Sequence, residues 1–169
     1  MYFELVHLKQ LYRAGWLRHG VPKARCESVA DHSYGTAMLC LLLLDQHPGL
    51  DVGKTLKLAL LHDLGECYVG DFTPHDDIDP GEKKAAEAAA VTKVLGKLPG
   101  ESELIRLWQE YAEQSSPEAR FVRQVDRLEM ALQGNVYQHQ GIIDAEEFSQ
   151  SARKVIEDDN LVRELDGLS

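Results

Sequence analysis

Apolar residues recur along this chain at three- and four-residue spacing almost from end to end, the period of helices that bury one face. Phe3, Val6, Leu8 and Leu11 predict a short amphipathic helix, and a loop with Gly and Pro follows from Gly15 to Glu27. Ser28 with Asp31 three residues on makes a capping-box pattern. The helix it opens runs to about Gln46, where His47-Pro48-Gly49 ends it. Asp51 caps the next helix, with Leu56, Ala59, Leu60 and Leu64 placed on one face. Gly70 to Asp79 is acidic and predicts a loop, after which Pro80 takes a first helical position behind a capping Asp79. That Ala- and Lys-rich helix extends to about Lys97 and breaks at Pro99-Gly100. Further helices are expected over Glu103–Gln114 and Glu118–Gln138, the second announced by Ser116-Pro117, and a last one from a capping Asp144 toward Asp159. No stretch alternates with period two between turn signals, so the pattern predicts an all-α fold.

Neither a repeat nor a long linker interrupts the 169 residues, so one domain spanning 1–169 is expected. At this length about 70% of the open-chain surface can be buried, enough for one core without disulfides or a structural metal. Charge narrows the partners. With 28 acidic and 18 basic side chains the net charge is −10, which argues against nucleic acid. A small anionic substrate stays open, because a few basic groups or a metal reverse the field locally. Cys26, Cys40 and Cys67 lack C-x-x-C spacing and fit reduced thiols better than a disulfide framework or a cysteine zinc site. The N-terminus lacks the order of a signal peptide, and the longest strongly apolar run, Ala37–Leu44, is far short of the ~20 residues that span a bilayer. These features predict a cytoplasmic protein with no membrane partner.

Candidate chemistry gathers at four residues in three places: His32 early in its helix, the pair His62-Asp63, and Asp126 between apolar neighbours. Imidazole nitrogens and carboxylate oxygens together suit zinc, manganese, cobalt or iron. His62 and Glu66, four apart, share a helix face. Each residue also has an ordinary reading. His32 can be a satisfied polar residue, Glu66 a solvated helix end, and Asp126 the partner of Arg123 or Arg127, since a buried carboxylate is costly unpaired.

Taken in order, His32, His62-Asp63 and Asp126 resemble the H…HD…D pattern of the HD-domain superfamily of metal-dependent phosphohydrolases. ESVADHS around His32, LALLHDLGECYVGD from Leu58 and QVDRLEMALQ from Gln124 are similar to its 5′-deoxynucleotidase-like branch. RAGWLR near the start and WQEYAEQSSPEARFV before Asp126 resemble the eukaryotic members, and the similarity covers about Leu8 to Gln140. The resemblance implies an HD-domain helical bundle, with the last helix over about 144–165 lying outside the motif-bearing part. It implies that His32, His62, Asp63 and Asp126 ligate one divalent ion (Mn, Co, Zn, Ni, Fe or Mg) and that Glu66 acts on the attacking water or leaving oxygen. By the same resemblance Arg13 and Trp16 orient phosphate and pack on the sugar, with Arg18 competing for the phosphate. Asp71 would contact the nucleoside, and Pro74, His75, Asp76 and Asp77 would lie along the same rim.

The implied activity is hydrolysis of (deoxy)ribonucleoside 5′-monophosphates to nucleoside and phosphate. Two readings compete: a phosphohydrolase acting on triphosphates, cyclic nucleotides or alarmones, and a regulatory module that keeps the metal as a staple. Relatives form homodimers, so a homodimer is expected, with an exposed apolar face looked for in Leu104–Tyr111 or Val155–Leu165.

Overall fold

A computed structural model describes residues 2–73, 79–99 and 101–167. Among them, no strand forms beyond an isolated antiparallel bridge between Tyr12 and Ser28, and the fold is all-α. Among the described residues no helix is long and apolar enough to cross a membrane. The helices are α1 (Tyr2–His7), α2 (Ala14–Arg18), α3 (Val29–Leu43), α4 (Val52–Leu61), α5 (Glu66–Val69), α6 (Pro80–Leu95), α7 (Glu101–Glu113), α8 (Pro117–His139), α9 (Glu146–Arg153) and α10 (Asp159–Asp166).

Local signals set most of the starts. Ser28 and Asp31 close the expected capping box on α3, Asp51 caps α4, and Asp79 and Ser116 cap α6 and α8 with proline in the first turn. The long helix α8 is the axis of the fold. Its Val122, Val125 and Leu128, each fully buried, meet Cys40 of α3 and Leu58 of α4 in the main core. A second cluster joins Leu8, Leu64, Val91, Val94 and Trp108, tying α6 and α7 to the turn after α4. A third holds Trp16, Met130 and Tyr137 together.

Four expectations change. Gly15–Glu27 is not all loop: it holds α2 and a 3₁₀ turn at Lys23–Arg25. No side chain caps α2, so no local signal announced it; burial of Trp16 holds it instead. Leu5 of the first helix and Leu8 just past its end pack inward while Phe3 is 88% exposed, and α1 stops at His7, short of Leu8 and Leu11. On α4 the buried line runs through Thr55, Leu58 and Ala59, leaving Leu60 59% exposed, and Leu64 lies past the helix end. The apolar faces of 104–111 and 155–165 are not exposed, because Leu107, Trp108, Tyr111, Leu161 and Leu165 are all buried.

The C-terminal helix also divides in two. Asp144 accepts the Glu146 N–H, yet the position before α9 belongs to Ala145, and α9 stops at Arg153. Gln124 Oε1 on α8 accepts the N–H groups of Glu157 (2.7 Å) and Asp158 (2.9 Å), which removes them from any helical ladder. Asp158 then caps α10 by accepting from Asn160 and Leu161 N–H. Burial opposes ionisation of Asp158, but the hydrogen bond with His47 (2.9 Å) and the cap N–H groups outweigh it and lower its pKa. Asp158→Ala should therefore cost about 1 kcal/mol in denaturant unfolding at neutral pH. A lowered carboxylate stabilises above its unfolded pKa, so the difference from wild type should shrink as pH falls through the lowered folded-state value.

Candidate active site

His32 stands one turn into α3, His62 and Asp63 follow the last residue of α4, and Asp126 sits midway along α8. The packing of α3, α4 and α8 around one core brings all three places together. Trp108 Nε1 of α7 donates to the His62 carbonyl (3.2 Å), and the Tyr111 ring packs edge-on against the His62 imidazole. The turn after His62 needs glycine: a Cβ on Gly65 would lie 2.9 Å from Glu87 Cβ and 3.1 Å from the α6 backbone. This close approach lets the turn lie flat on α6 and delivers Glu66 to the site.

The two imidazoles face each other. His62 Nδ1 donates to the Ala59 carbonyl (2.7 Å) and His32 Nδ1 donates to Glu129 Oε2 (2.5 Å). Each ring thereby leaves Nε2 as the free nitrogen, and the two Nε2 atoms lie 3.4 Å apart. Asp63 Oδ2 stands 3.2 Å from His62 Nε2 and 3.7 Å from His32 Nε2, buried and without a hydrogen-bond partner. Asp126 Oδ1 is 3.1 Å from His32 Nε2.

Ligand atoms of His32, His62 and Asp63 all lie within 4.8 Å of one another. Two convergent lone pairs, an orphaned carboxylate oxygen and a second carboxylate form a donor set that fits a borderline-to-hard divalent cation. Without the cation a proton must take its place. Burial and the Arg13 charge disfavour that proton on His32, but Asp126 and Glu129 outweigh them and raise its pKa to about 10.

The two oxygens of Asp126 face different partners. While Oδ1 faces His32, Oδ2 accepts from Tyr111 (3.3 Å) and Arg123 (3.3 Å), with Arg127 at 3.8 Å. Burial works against its charge, but the His32 hydrogen bond and the charges of Arg127 and the histidines hold its pKa well below the usual range. Glu66 behaves oppositely. It is buried, Oε2 has no partner, and burial together with the Asp63 and Asp71 charges drives its pKa well up.

A cleft of about 640 Å³ opens on this cluster, a size suited to a small molecule. Arg13 reaches into it, donating to Asp71 Oδ1 (3.2 Å) and lying 3.7 Å from Asp63 Oδ2, while the Ala14 N–H donates to Asp71 Oδ2 (2.5 Å). Arg18 instead donates to Thr73 on the exposed side and does not line the cleft. Trp16 is 1% exposed, its Nε1 donating to Glu27 (2.7 Å) and its ring covered by Phe148 at 4.1 Å between centroids. Pro74, His75, Asp76 and Asp77 lie outside the described residues.

Of the rest of the lining, the sequence had singled out only Arg123 and Arg127, as partners of Asp126. Lys83 of α6, Arg123 and Arg127 of α8, and Phe148 and Lys154 beyond the motif-bearing part also face the cleft. Among the described lining residues five cations (Arg13, Lys83, Arg123, Arg127, Lys154) stand against five carboxylates (Asp63, Glu66, Asp71, Asp126, Glu147). The cleft is thus close to neutral although the chain carries −10, and a bound cation would make it positive. Spacing could have found Glu129, one turn beyond Asp126, as it found Arg123 one turn before; Phe148 and Lys154 gave no local sign.

Comparison with known proteins places this geometry. The family model described as HD domain matches residues 5–165. A Dictyostelium discoideum protein named 5′-deoxynucleotidase HDDC2 is 44% identical over 141 residues, covering 79% of this chain and 73% of its own. The human protein of that name is 41% identical over 133 residues, covering 78% of this chain and 63% of its own, so this chain spans under two thirds of that relative. A crystal structure of a Pyrococcus horikoshii protein superposes with TM-score 0.81 at 34% identity, covering 99% and 98% of the two chains. One from Magnetospirillum magnetotacticum, described as a predicted metal-dependent phosphohydrolase, gives 0.68 at 26% identity, covering 96% and 90%. With a match running over nearly its whole length, this chain belongs to the HD domain family.

Proposed function

We propose that this protein is a metal-dependent phosphomonoesterase that hydrolyses nucleoside 5′-monophosphates, deoxyribonucleotides foremost, to nucleoside and phosphate. The observation that carries the reading is the pair of imidazole Nε2 atoms 3.4 Å apart beside the unpartnered oxygen of Asp63, which lines a cleft that also holds Arg13, Arg123 and Arg127. The 5′-deoxynucleotidase name of the relatives supports the substrate class. His32, His62, Asp63 and Asp126 would hold the ion, and manganese, cobalt, nickel, iron, zinc and magnesium all suit that set. When bound, such an ion supplies Lewis acidity and a water of lowered pKa.

The chain's own residues do the rest. The Arg13 guanidinium, fixed by Asp71, grips a non-bridging phosphate oxygen and steadies the charge that grows there. Asp71 thereby works through Arg13 as well as at the nucleoside side of the cleft. Glu66, kept protonated by its surroundings, gives its proton to the departing 5′ oxygen as the P–O bond breaks. Trp16 supports the wall from beneath, and Phe148 is the aromatic surface laid over it. Arg18, on Thr73, serves the rim rather than the phosphate.

Phosphate release from a panel of 5′-monophosphates, 3′-monophosphates, triphosphates and cyclic nucleotides tests the substrate class. Hydrolysis confined to 5′-monophosphates is expected; preference for a triphosphate or cyclic nucleotide would contradict it. Nucleic acid is not a substrate in this reading.

The reading extends to assembly and place. Tyr34 (66% exposed), Met38 (37%), Leu41 (46%) and Leu42 (67%) form one apolar stripe along α3, which suits a second copy of the chain. Leu42→Glu should convert a dimer to a monomer in light scattering. Three free, buried cysteines fit the cytoplasm.

A further inference from the structure

The ring of His32 needs an anchor, because a ligand imidazole free to rotate presents the wrong nitrogen as often as the right one. We propose that Glu129 is the positioning residue for His32 and that Gly35 is the space that admits it. The inference rests on reading His32 as a metal ligand.

Three observations meet here. Glu129 Oε2 lies 2.5 Å from His32 Nδ1, with both residues buried (7% and 0% exposed). Asp126 and Glu129 are one turn apart on α8, so a single helix offers one carboxylate to each nitrogen of the same ring: Asp126 at Nε2 (3.1 Å), Glu129 at Nδ1. Opposite, Gly35 follows His32 by one turn on α3, and a Cβ there would lie 2.5 Å from Glu129 Oε1 and 3.2 Å from its Cδ and Cγ. The carboxylate lies flat against the α3 backbone where any side chain would displace it.

Accepting the Nδ1 proton leaves the Nε2 lone pair aimed at the cation site and makes that nitrogen a better donor. His62 obtains the same effect from the Ala59 carbonyl. Glu27 brings a further carboxylate within 4.8 Å of His32 and Glu129 ligand atoms, but Trp16 Nε1 already holds its Oε1. A cation among Glu27, His32 and Glu129 would have to break the Glu129–His32 hydrogen bond.

Because the Glu129 carboxylate is the far end of a flexible chain, Gly35→Ala can be absorbed by moving it, so the hydrogen bond is lost and the fold survives. The test is cobalt(II) binding to metal-free protein by calorimetry, with melting curves of the metal-free variants as the check on folding. Glu129→Ala should bind about 10- to 100-fold more weakly than wild type. Glu129→Gln, whose amide oxygen still accepts from Nδ1, should recover most of the affinity. Gly35→Ala should weaken binding in the wild-type background and change nothing further in the Glu129→Ala background. Wild-type affinity in Glu129→Ala, or additive losses in the double variant, would overturn the proposal. Two ions per chain, with only the weaker one lost in Glu129→Ala, would overturn it too and move Glu129 to a second site. No ion bound by wild type would instead overturn the metal reading beneath it.

Discussion

Replacing Asp63 with alanine is expected to lower phosphate release from deoxyribonucleoside monophosphates by about a thousandfold or more at saturating metal, some 4 kcal/mol of transition-state stabilisation. Asp63 Oδ2 is buried among His62 Nε2 (3.2 Å), His32 Nε2 (3.7 Å) and Arg13 (3.7 Å), yet makes no hydrogen bond. Burial alone would raise its pKa, but the neighbouring His62 imidazole, with His32 and Arg13, holds it well below the usual range, so the group stays anionic. A carboxylate kept charged, buried and unpartnered beside two imidazole lone pairs is placed for a cation. Its removal leaves two imidazoles and Asp126, too few to hold the ion rigidly. Core packing does not involve Asp63, so melting of the metal-free variant should stay near that of wild type. Near-normal turnover of folded, metal-replete Asp63→Ala would sink the single-ion scheme.

Glu66→Gln carries the second largest effect, a loss of about 10²- to 10⁴-fold on nucleotides. Burial first, then the Asp63 and Asp71 charges, push the Glu66 pKa well above the usual carboxylate value, which favours the protonated form. As an acid it acts below its pKa, and activity should fall as pH rises through that value. Glutamine cannot give the proton, so the variant should lose that alkaline limb of the profile. The loss should shrink for p-nitrophenyl phosphate, whose leaving group needs no proton. Equal losses on both esters would assign Glu66 to placing the water instead.

Much of this site is legible before the fold is known, for reasons that differ by residue. His62-Asp63 and Glu66 sit in one short motif, and Asp126 stands out because a carboxylate between Val125 and Leu128 has to be explained. Ser28, Asp51, Asp79 and Ser116 announce their helices because a cap is a contact between residues two or three apart. What escapes depends on distant partners. Helix α2 has no cap and is held by Trp16 against Tyr137 and Phe148; α9 and α10 separate because Gln124 captures two N–H groups more than thirty residues away. Likewise the near-neutral cleft on a strongly acidic chain follows from which lysines and arginines the packing turns inward, Lys83 and Lys154 among them. Composition cannot report that selection.

The central claim is that one divalent ion, held where His32 and His62 face each other, is what makes the cleft a phosphatase. It is tested most directly by stripping the protein with a chelator and restoring manganese or cobalt in measured equivalents while following phosphate release from a deoxyribonucleoside 5′-monophosphate. The account predicts no release from the stripped protein and recovery that saturates at one ion per chain. Undiminished hydrolysis by the stripped protein, or a stoichiometric ion with no hydrolysis of any phosphoester, would contradict it.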